Sequence, residues 1–339
     1  PVIRFFEDAV KDQNVTQIKI TQYRVAKKSR IMEALIAAAA QGKSVFVFIE
    51  VKARFDEEAN LRWGAKLSAA GVNVQYSFPG LKVHSKIALI TRIENKKPIN
   101  YTYLSTGNFH EGTAKIYCDF GFFTVDERIT SEVEKIFNYL SNSEVQDVMF
   151  ENLLVGQFNL RSTLINLIDF EIKQAKLGNK AKIILKMNSL EDSQMIEKLY
   201  EADQAGVEIT LIIRGINCLI PGIEGISSNI KVISIVDRYL EHSRIFMFHA
   251  GGKNLIYLSS ADWMVRNLSY RIETAFPIYN PELKKFVSDI IDIQLSDNTK
   301  ARKLDGVTDS VMVKNGKSFV NSQQQTYKMI KNLRHPKKK

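Results

Sequence analysis

A chain whose second half answers its first element by element must fold as two similar units, and this sequence is written twice. A helix expected over Ile31–Ala40, a turn at Gln41-Gly42 and a strand over Ser44–Val51 are answered by a helix over Ser193–Ala205, a turn at Gly206 and a strand over Val207–Ile213. In both blocks the apolar period passes from 3.6 residues to a continuous β-branched run, the pattern of a strand buried on both faces. Downstream of each lies a histidine, a basic residue two positions later, and an apolar strand: His84-Ser85-Lys86-Ile87-Ala88-Leu89-Ile90 and His242-Ser243-Arg244-Ile245-Phe246-Met247-Phe248. A turn and a further strand follow, ending in Leu104-Ser105-Thr106-Gly107-Asn108 or Leu258-Ser259-Ser260-Ala261-Asp262. Gly42 to His84 is 42 residues and Gly206 to His242 is 36, so the difference is confined to loops. The expected fold class is α/β, with homologous domains over 1–150 and 151–310 joined near Ser141 to Phe150. A helix near Arg161 to Lys176 opens the second, few strands are expected after Leu295, and 311–339 reads as a basic tail. Its short helix, Gln323 to Asn332, is expected to pack on the outside or fray.

At 339 residues and about 150 per domain, length agrees with two domains. Hydrophobic residues make up 45% and charged residues 25%, which excludes disordered and low-complexity classes. Apolar runs such as Val45–Ile49 and Ile209–Ile213 fall far short of the roughly 20 residues that cross a bilayer. The amino terminus has no basic segment followed by an apolar core, and no initiator Met, which reads as a piece of a longer protein rather than a signal peptide. With only Cys118 and Cys218, a disulfide framework or thiolate zinc site is excluded and a reducing, cytoplasmic home is expected. Lys and Arg number 47 against 37 Asp and Glu, a net +10 that favours an anionic partner: nucleic acid, a phosphate polymer or an acidic lipid surface. Part of that excess is the end run Lys337-Lys338-Lys339, which reads as a solvated tail.

A strand that opens on His-x-Lys or His-x-Arg puts imidazole and cation on one face, because side chains alternate with period two. In a pseudo-twofold pair of domains, the two strand ends can face each other and set two imidazoles and two cations around one anion. That suits phosphoryl transfer: one neutral histidine attacks phosphorus, the other moves a proton, and the cations offset oxygen charge. A lone histidine is more often structural; repetition at equivalent places argues otherwise. His110 reads as a loop residue, His249 as exposed at a hairpin, and His335 as tail. Arg24, Arg54 and Arg214 each close a strand at the carboxyl edge, where open α/β sheets gather ligands, and each offers a planar fork to phosphate. Asp56-Glu57-Glu58 is either a magnesium carboxylate or, more ordinarily, a helix-opening dipole partner. Neither a Walker loop nor a Gly-x-Gly-x-x-Gly fingerprint occurs, so any nucleotide is held differently.

Two His-x-Lys-type motifs in a duplicated α/β chain resemble the phospholipase D superfamily. The strings Tyr23-Arg24-Val25-Ala26, Ala53-Arg54-Phe55-Asp56-Glu57-Glu58-Ala59-Asn60, Ser105-Thr106-Gly107-Asn108-Phe109, Leu219-Ile220-Pro221-Gly222, Ile235-Val236-Asp237-Arg238-Tyr239-Leu240-Glu241-His242 and Ser259-Ser260-Ala261-Asp262-Trp263-Met264 resemble polyphosphate kinase of the first type. The likeness runs from Pro1 to about Arg302 and implies two phospholipase D-like α/β domains, the last two of the four usual in that family. It implies reversible transfer of the terminal phosphate of ATP to inorganic polyphosphate, with Mg2+ and a phosphohistidine. The phosphorylated histidine falls on His84 and the second on His242; the magnesium-associated arginines fall on Arg24 and Arg54, and the nucleotide-phosphate contacts on Tyr117, Arg214 and His242, with Lys86 and Arg244 as further phosphate ligands. The family's amino-terminal half helps hold adenine and build a dimer, so the resemblance implies a homo-oligomer for the complete protein. Partners are then ATP, ADP and polyphosphate, with no specific nucleic acid; peripheral attachment at the inner membrane face stays open. Two departures, Thr91 where the superfamily expects an acid and Arg244 in place of lysine, weaken the competing phosphodiesterase reading. A non-catalytic binder of phosphate polymers is the third reading, supported by charge alone.

Overall fold

The computed structural model describes residues 1–51, 57–77, 80–142, 148–304, 310–313 and 318–334, and the chain divides into two compact units. Along the chain come α1 (Val2–Lys11), β1 (Val15–Gln22), α2 (Arg30–Ala40), β2 (Ser44–Ile49), α3 (Glu57–Ala69), β3 (Asn73–Tyr76), β4 (Lys82–Val83), β5 (Lys86–Glu94), β6 (Lys97–Ser105), β7 (Tyr117–Cys118), β8 (Gly121–Thr124), α4 (Glu127–Ser141) and β9 (Leu154–Val155). Then follow α5 (Leu160–Lys176), β10 (Lys182–Met187), α6 (Ser193–Gln204), β11 (Glu208–Ile213), β12 (Lys231–Ile235), β13 (Leu240–Glu241), β14 (Arg244–Phe248) and β15 (Leu255–Ser259). The chain ends with α7 (Val265–Ser269), β16 (Arg271–Ile272), β17 (Thr274–Pro277), α8 (Pro281–Leu295), β18 (Ala301–Leu304), β19 (Val311–Met312) and α9 (Ser322–Arg334).

The first unit is built on a sheet of order β3-β2-β1-β5-β6-β8. β1, β2 and β3 run parallel, and β5, β6 and β8 return antiparallel. Ser29 caps α2 by accepting from the Met32 N–H, and Gly42, at φ +80°, supplies the left-handed turn that sends the chain into β2. Val45 to Ile49 are all buried, the double-faced burial read from their continuous apolar run. Phe6, Ile18, Ile20, Met32, Leu35, Val47 and Trp63 form the core between sheet and helices.

The unit does not stop where the first repeat stops. It holds Pro1–Arg161 and also Ser259–Ala261 and Arg266–Phe276 from the second repeat. β16 pairs in parallel with β4, Arg271 against Lys82 and Ile272 against Val83, while β17 pairs antiparallel with β9. Between these two short strands stands Glu273.

The second unit repeats the plan: β12, β11 and β10 are parallel, and β14 returns antiparallel on β10. Gly206, at φ +95°, turns α6 into β11 as Gly42 does in the first repeat. Ile183, Leu185, Ile209, Leu211, Val232, Phe246 and Phe248 fill the core. β18 adds antiparallel to β12 and β19 to β18, so the region after Leu295 extends the sheet. α9 is docked rather than frayed at its start, where Asp297 Oδ2 accepts from the Ser322 N–H at 2.7 Å. Among the described residues no helix is long and apolar enough to cross a membrane.

Candidate active site

In the first unit β5 opens at Lys86, so His84 and Ser85 stand just before the sheet edge. Both their N–H groups donate to the Ile272 carbonyl, at 2.9 and 3.0 Å, and Ser85 Oγ donates to the same oxygen. This fixes the backbone that carries the imidazole. His84 Nδ1 lies 2.9 Å from Glu273 Oε2 and 2.8 Å from Oε1, and the carboxylate is fully buried. Ser260 Oγ also donates to Oε2, and Asn267 Nδ2 donates to Oε1 at 2.6 Å. A carboxylate on Nδ1 assigns the proton to that nitrogen and leaves the lone pair on Nε2. Burial holds the imidazole well below its ordinary 6.5, at about 3; Glu273 opposes the shift, Lys86 and Arg271 reinforce it. Burial alone would raise the Glu273 carboxyl, but His84, Lys86 and Ser260 keep it below the usual carboxylate range.

Lys86 is 1% exposed, and its Nζ donates to the His84 carbonyl while lying 5.4 Å from the centre of the Tyr23 ring. Tyr23 meets His84 edge-on, ring centres 4.7 Å apart at 89°. Arg24 follows β1 with its guanidinium carbon 6.0 Å from that ring centre, so two cations stand close to the one aromatic ring beside the imidazole.

In the second unit the arrangement around His242 is built differently. Arg244, 3% exposed, donates from Nη2 and Nε to Asp262 at 3.0 and 3.3 Å, and from Nη1 to the His242 carbonyl at 2.7 Å. The same Nη1 stands 3.3 and 3.1 Å from Nδ1 and Nε2 of the His242 ring. Asp262 Oδ1 accepts from the Asn188 N–H at 2.7 Å and the Ser189 N–H at 3.3 Å. Burial would push the Asp262 carboxyl up, yet Arg244 and the Asn188 donors hold it at about 2, so it stays ionised. Asn188 then passes the order on: its Oδ1 accepts from Arg214 Nε at 2.9 Å and Nη2 at 2.8 Å, which aims the guanidinium from the end of β11.

The structure therefore brings His84, Lys86 and Arg24 together in the first unit, and His242, Arg244 and Arg214 together in the second. Tyr117 opens β7, half-buried in the first unit. Arg54 and Asp56 lie outside the described residues, as do His335 and Lys337–Lys339. His110 is a loop residue whose Nδ1 accepts from the Thr113 N–H. His249 is half-buried and caps a turn by accepting from the Gly252 N–H, so it is less open than its hairpin place suggests. Three residues were missed by sequence reasoning: Glu273, Asp262 as a partner of Arg244, and Asn188 as the support of Arg214. A signal for the first existed. Glu273 follows its partner Ser260 by 13 residues, and Asp119 follows its own partner Thr106 by the same interval.

A resident magnesium ion does not fit the described residues. Arginine has no acceptor for a cation, and among those residues no group of three or more His, Cys, Asp or Glu side chains could hold a metal.

The family model "Polyphosphate kinase C-terminal domain 1" matches residues 1–146 and "Polyphosphate kinase C-terminal domain 2" matches 153–324. The chain belongs to the polyphosphate kinase family. It is 47% identical over 336 residues to a polyphosphate kinase of Escherichia coli K12 and 48% identical over 336 residues to one of Klebsiella pneumoniae, covering 99% of this chain and 49% of each relative. The chain thus spans about half the length of these relatives. The crystal structure of a polyphosphate kinase from Porphyromonas gingivalis superposes with a TM-score of 0.91 at 44% identity, covering 98% of this chain and 51% of that one. A phosphatidylserine synthase from Haemophilus influenzae matches 98% of the chain and 91% of its own at a TM-score of 0.61 and 10% identity, a likeness of fold alone.

Proposed function

We propose that the chain is the catalytic part of a polyphosphate kinase that moves the terminal phosphate of ATP to inorganic polyphosphate through a phosphohistidine on His84. The observation that carries this is the buried imidazole whose Nδ1 is held by Glu273, leaving a neutral ring with its lone pair on Nε2. In the forward step the Nε2 lone pair forms a bond to the terminal phosphorus, and the bond from that phosphorus to the bridging oxygen breaks, releasing ADP. Glu273 meets the positive charge that develops on the ring. In the second step a terminal oxygen of polyphosphate attacks the same phosphorus and the P–N bond breaks, restoring neutral imidazole. Run backwards, the steps make ATP.

Lys86 and Arg24 in the first unit, and Arg214 and Arg244 in the second, are the proposed ligands of phosphate oxygens. Their charges offset oxygen charge without covalent chemistry. Tyr117 and His242 are proposed nucleotide contacts, with His242 steadying the leaving oxygen. Magnesium arrives on the nucleotide's own phosphates, the usual way this ion is bound, and no step is derived through it. In the complete protein the remaining half contributes to nucleotide binding and to a homo-oligomer.

Labelled ATP with magnesium tests the proposal. Acid-labile label should appear on His84 in peptide maps, ADP should be released, and acid-insoluble polymer should accumulate. Label on another residue, or release of label to water with no polymer, would sink it.

A further inference from the structure

The residue before the active-site histidine differs in kind between the repeats. Beside His84 it is Val83, 2% exposed; beside His242 it is Glu241, 4% exposed. The residue across the sheet differs too. Lys186 lies opposite Ile245, three residues past His242, while in the first repeat Thr21 Oγ1 accepts from the N–H of Ile87, three past His84. Where the first repeat has a valine and a threonine, the second has a buried ion pair, Lys186 Nζ to Glu241 Oε2 at 2.5 Å, with Ser243 Oγ accepting a further bond from Lys186 at 2.9 Å.

Taking two charges out of water is costly, so such a pair is weak evidence for stability, and what it can hold in place is the more informative question. The remaining acceptor positions of Glu241 show what that geometry serves. Gln294 of α8 donates to Oε2 at 3.1 Å, and Gln323 of α9 donates to Oε1 at 2.8 Å. The Gln323 amide also pairs with the backbone of Tyr239 as a neighbouring strand would, accepting from its N–H at 3.0 Å and donating to its carbonyl at 2.8 Å. Asn321 adds a bond to Asp237 at 2.7 Å. On the other side, the His242 carbonyl accepts from Asn188 and Arg244. The lead-in from Asp237 to His242 is thus gripped within its own unit by the strand-end network on one side and by the start of the last helix on the other.

We infer that Gln323 is a positioning residue for His242: α9 is a clamp that fixes the Tyr239–His242 backbone and, through the buried Glu241, the place of the imidazole beside Arg244. For its effect on turnover this rests on the kinase reading; the clamp itself does not.

The test compares the complete wild-type protein with Gln323→Leu, which removes all three bonds, and Gln323→Glu, which keeps the shape but sets a carboxylate against Glu241. Gln324→Leu, an exposed neighbour on the same helix, is the control. Diethyl pyrocarbonate labelling, resolved residue by residue by mass spectrometry, reports how freely each histidine moves and is reached. His242 should be labelled about threefold faster or more in both Gln323 variants, with His84 and His249 at wild-type rates, because only the clamped segment opens. In protein that makes polymer, kcat should fall about tenfold or more while KM for ATP changes far less, the signature of a misplaced group rather than lost binding. Unchanged His242 labelling in both variants overturns the inference, as does an equal rise at every histidine or an unaltered kcat in active protein. Failure of the kinase reading would look different: wild type would make no polymer, and the labelling would still decide the clamp.

Discussion

His84 and Glu273 form the pair on which the proposed chemistry turns, and each alters what the other can be. Glu273 holds the ring by Nδ1 and is itself held by Ser260 and Asn267, so neither the tautomer nor the ring plane is left to chance. Replacing Glu273 with Gln should slow phosphoenzyme formation by about 10²- to 10⁴-fold, the range in which loss of an orienting carboxylate falls, and rapid quench with labelled ATP would measure it. An effect below threefold would remove Glu273 from the mechanism. His84→Ala should abolish the phosphoenzyme outright. Titration gives a second check. The folded imidazole sits near 3, below its ordinary 6.5, so the unfolded chain takes up the proton first and folding stability should fall as pH drops from about 6.5 toward 3. Urea midpoints between pH 7 and pH 4 should therefore decline more steeply for wild type than for His84→Gln; parallel profiles would mean that the ring is not buried neutral. At this scale His84, Lys86, His242 and Arg244 were legible because they recur at matched places. Glu273 was not, because its contact with His84 spans 189 residues of sequence and depends on where the returning segment folds.

At the scale of elements, caps and turns followed local chemistry. Asn280 precedes Pro281 and accepts from the N–H groups of Glu282 and Leu283 at 2.9 and 3.0 Å, opening α8. Asn280→Ala should cost about 1 kcal/mol in urea denaturation, and no loss would show that the cap is redundant. A tighter constraint lies at Gly156, just past β9. Its N–H donates to the Glu273 carbonyl at 2.9 Å, and a Cβ there would stand 2.2 Å from the Arg271 backbone oxygen. Gly156→Ala must push the Arg271–Glu273 segment aside, costing about 1–3 kcal/mol as overpacking does. It should also slow phosphorylation of His84, since Glu273 moves with that segment. Wild-type thermal stability and rate in this variant would contradict the close approach. The sequence showed helices and buried strands by their periods, but β16 and β9 span only two residues each, too short for any period to register.

For the whole molecule, a net charge of +10 and the cations at the strand ends predict that the proposed binding of polyphosphate depends on salt. Affinity should fall steeply with rising salt, as counterion release makes it do for nucleic acids, and a flat response in a titration from low to high ionic strength would argue against those cations as ligands. Arg24→Ala and Arg214→Ala should each flatten the slope. The sequence by itself determined the α/β class, the duplication, the two histidine motifs with their basic partners, and the cationic character. These are properties of spacing, hydrophobic period and residue type, which a one-dimensional pattern contains in full. Only the tertiary structure decided that the first unit is completed by Ser259–Ala261 and Arg266–Phe276, that Glu273 rather than a nearby acid holds His84, that Asn188 aims Arg214, and that Gln323 closes on Glu241. The last three are hydrogen bonds between residues apart in the chain, whose partner is chosen by burial: a polar group removed from water bonds to whatever the folded backbone brings within reach, and that choice exists only after the chain has closed.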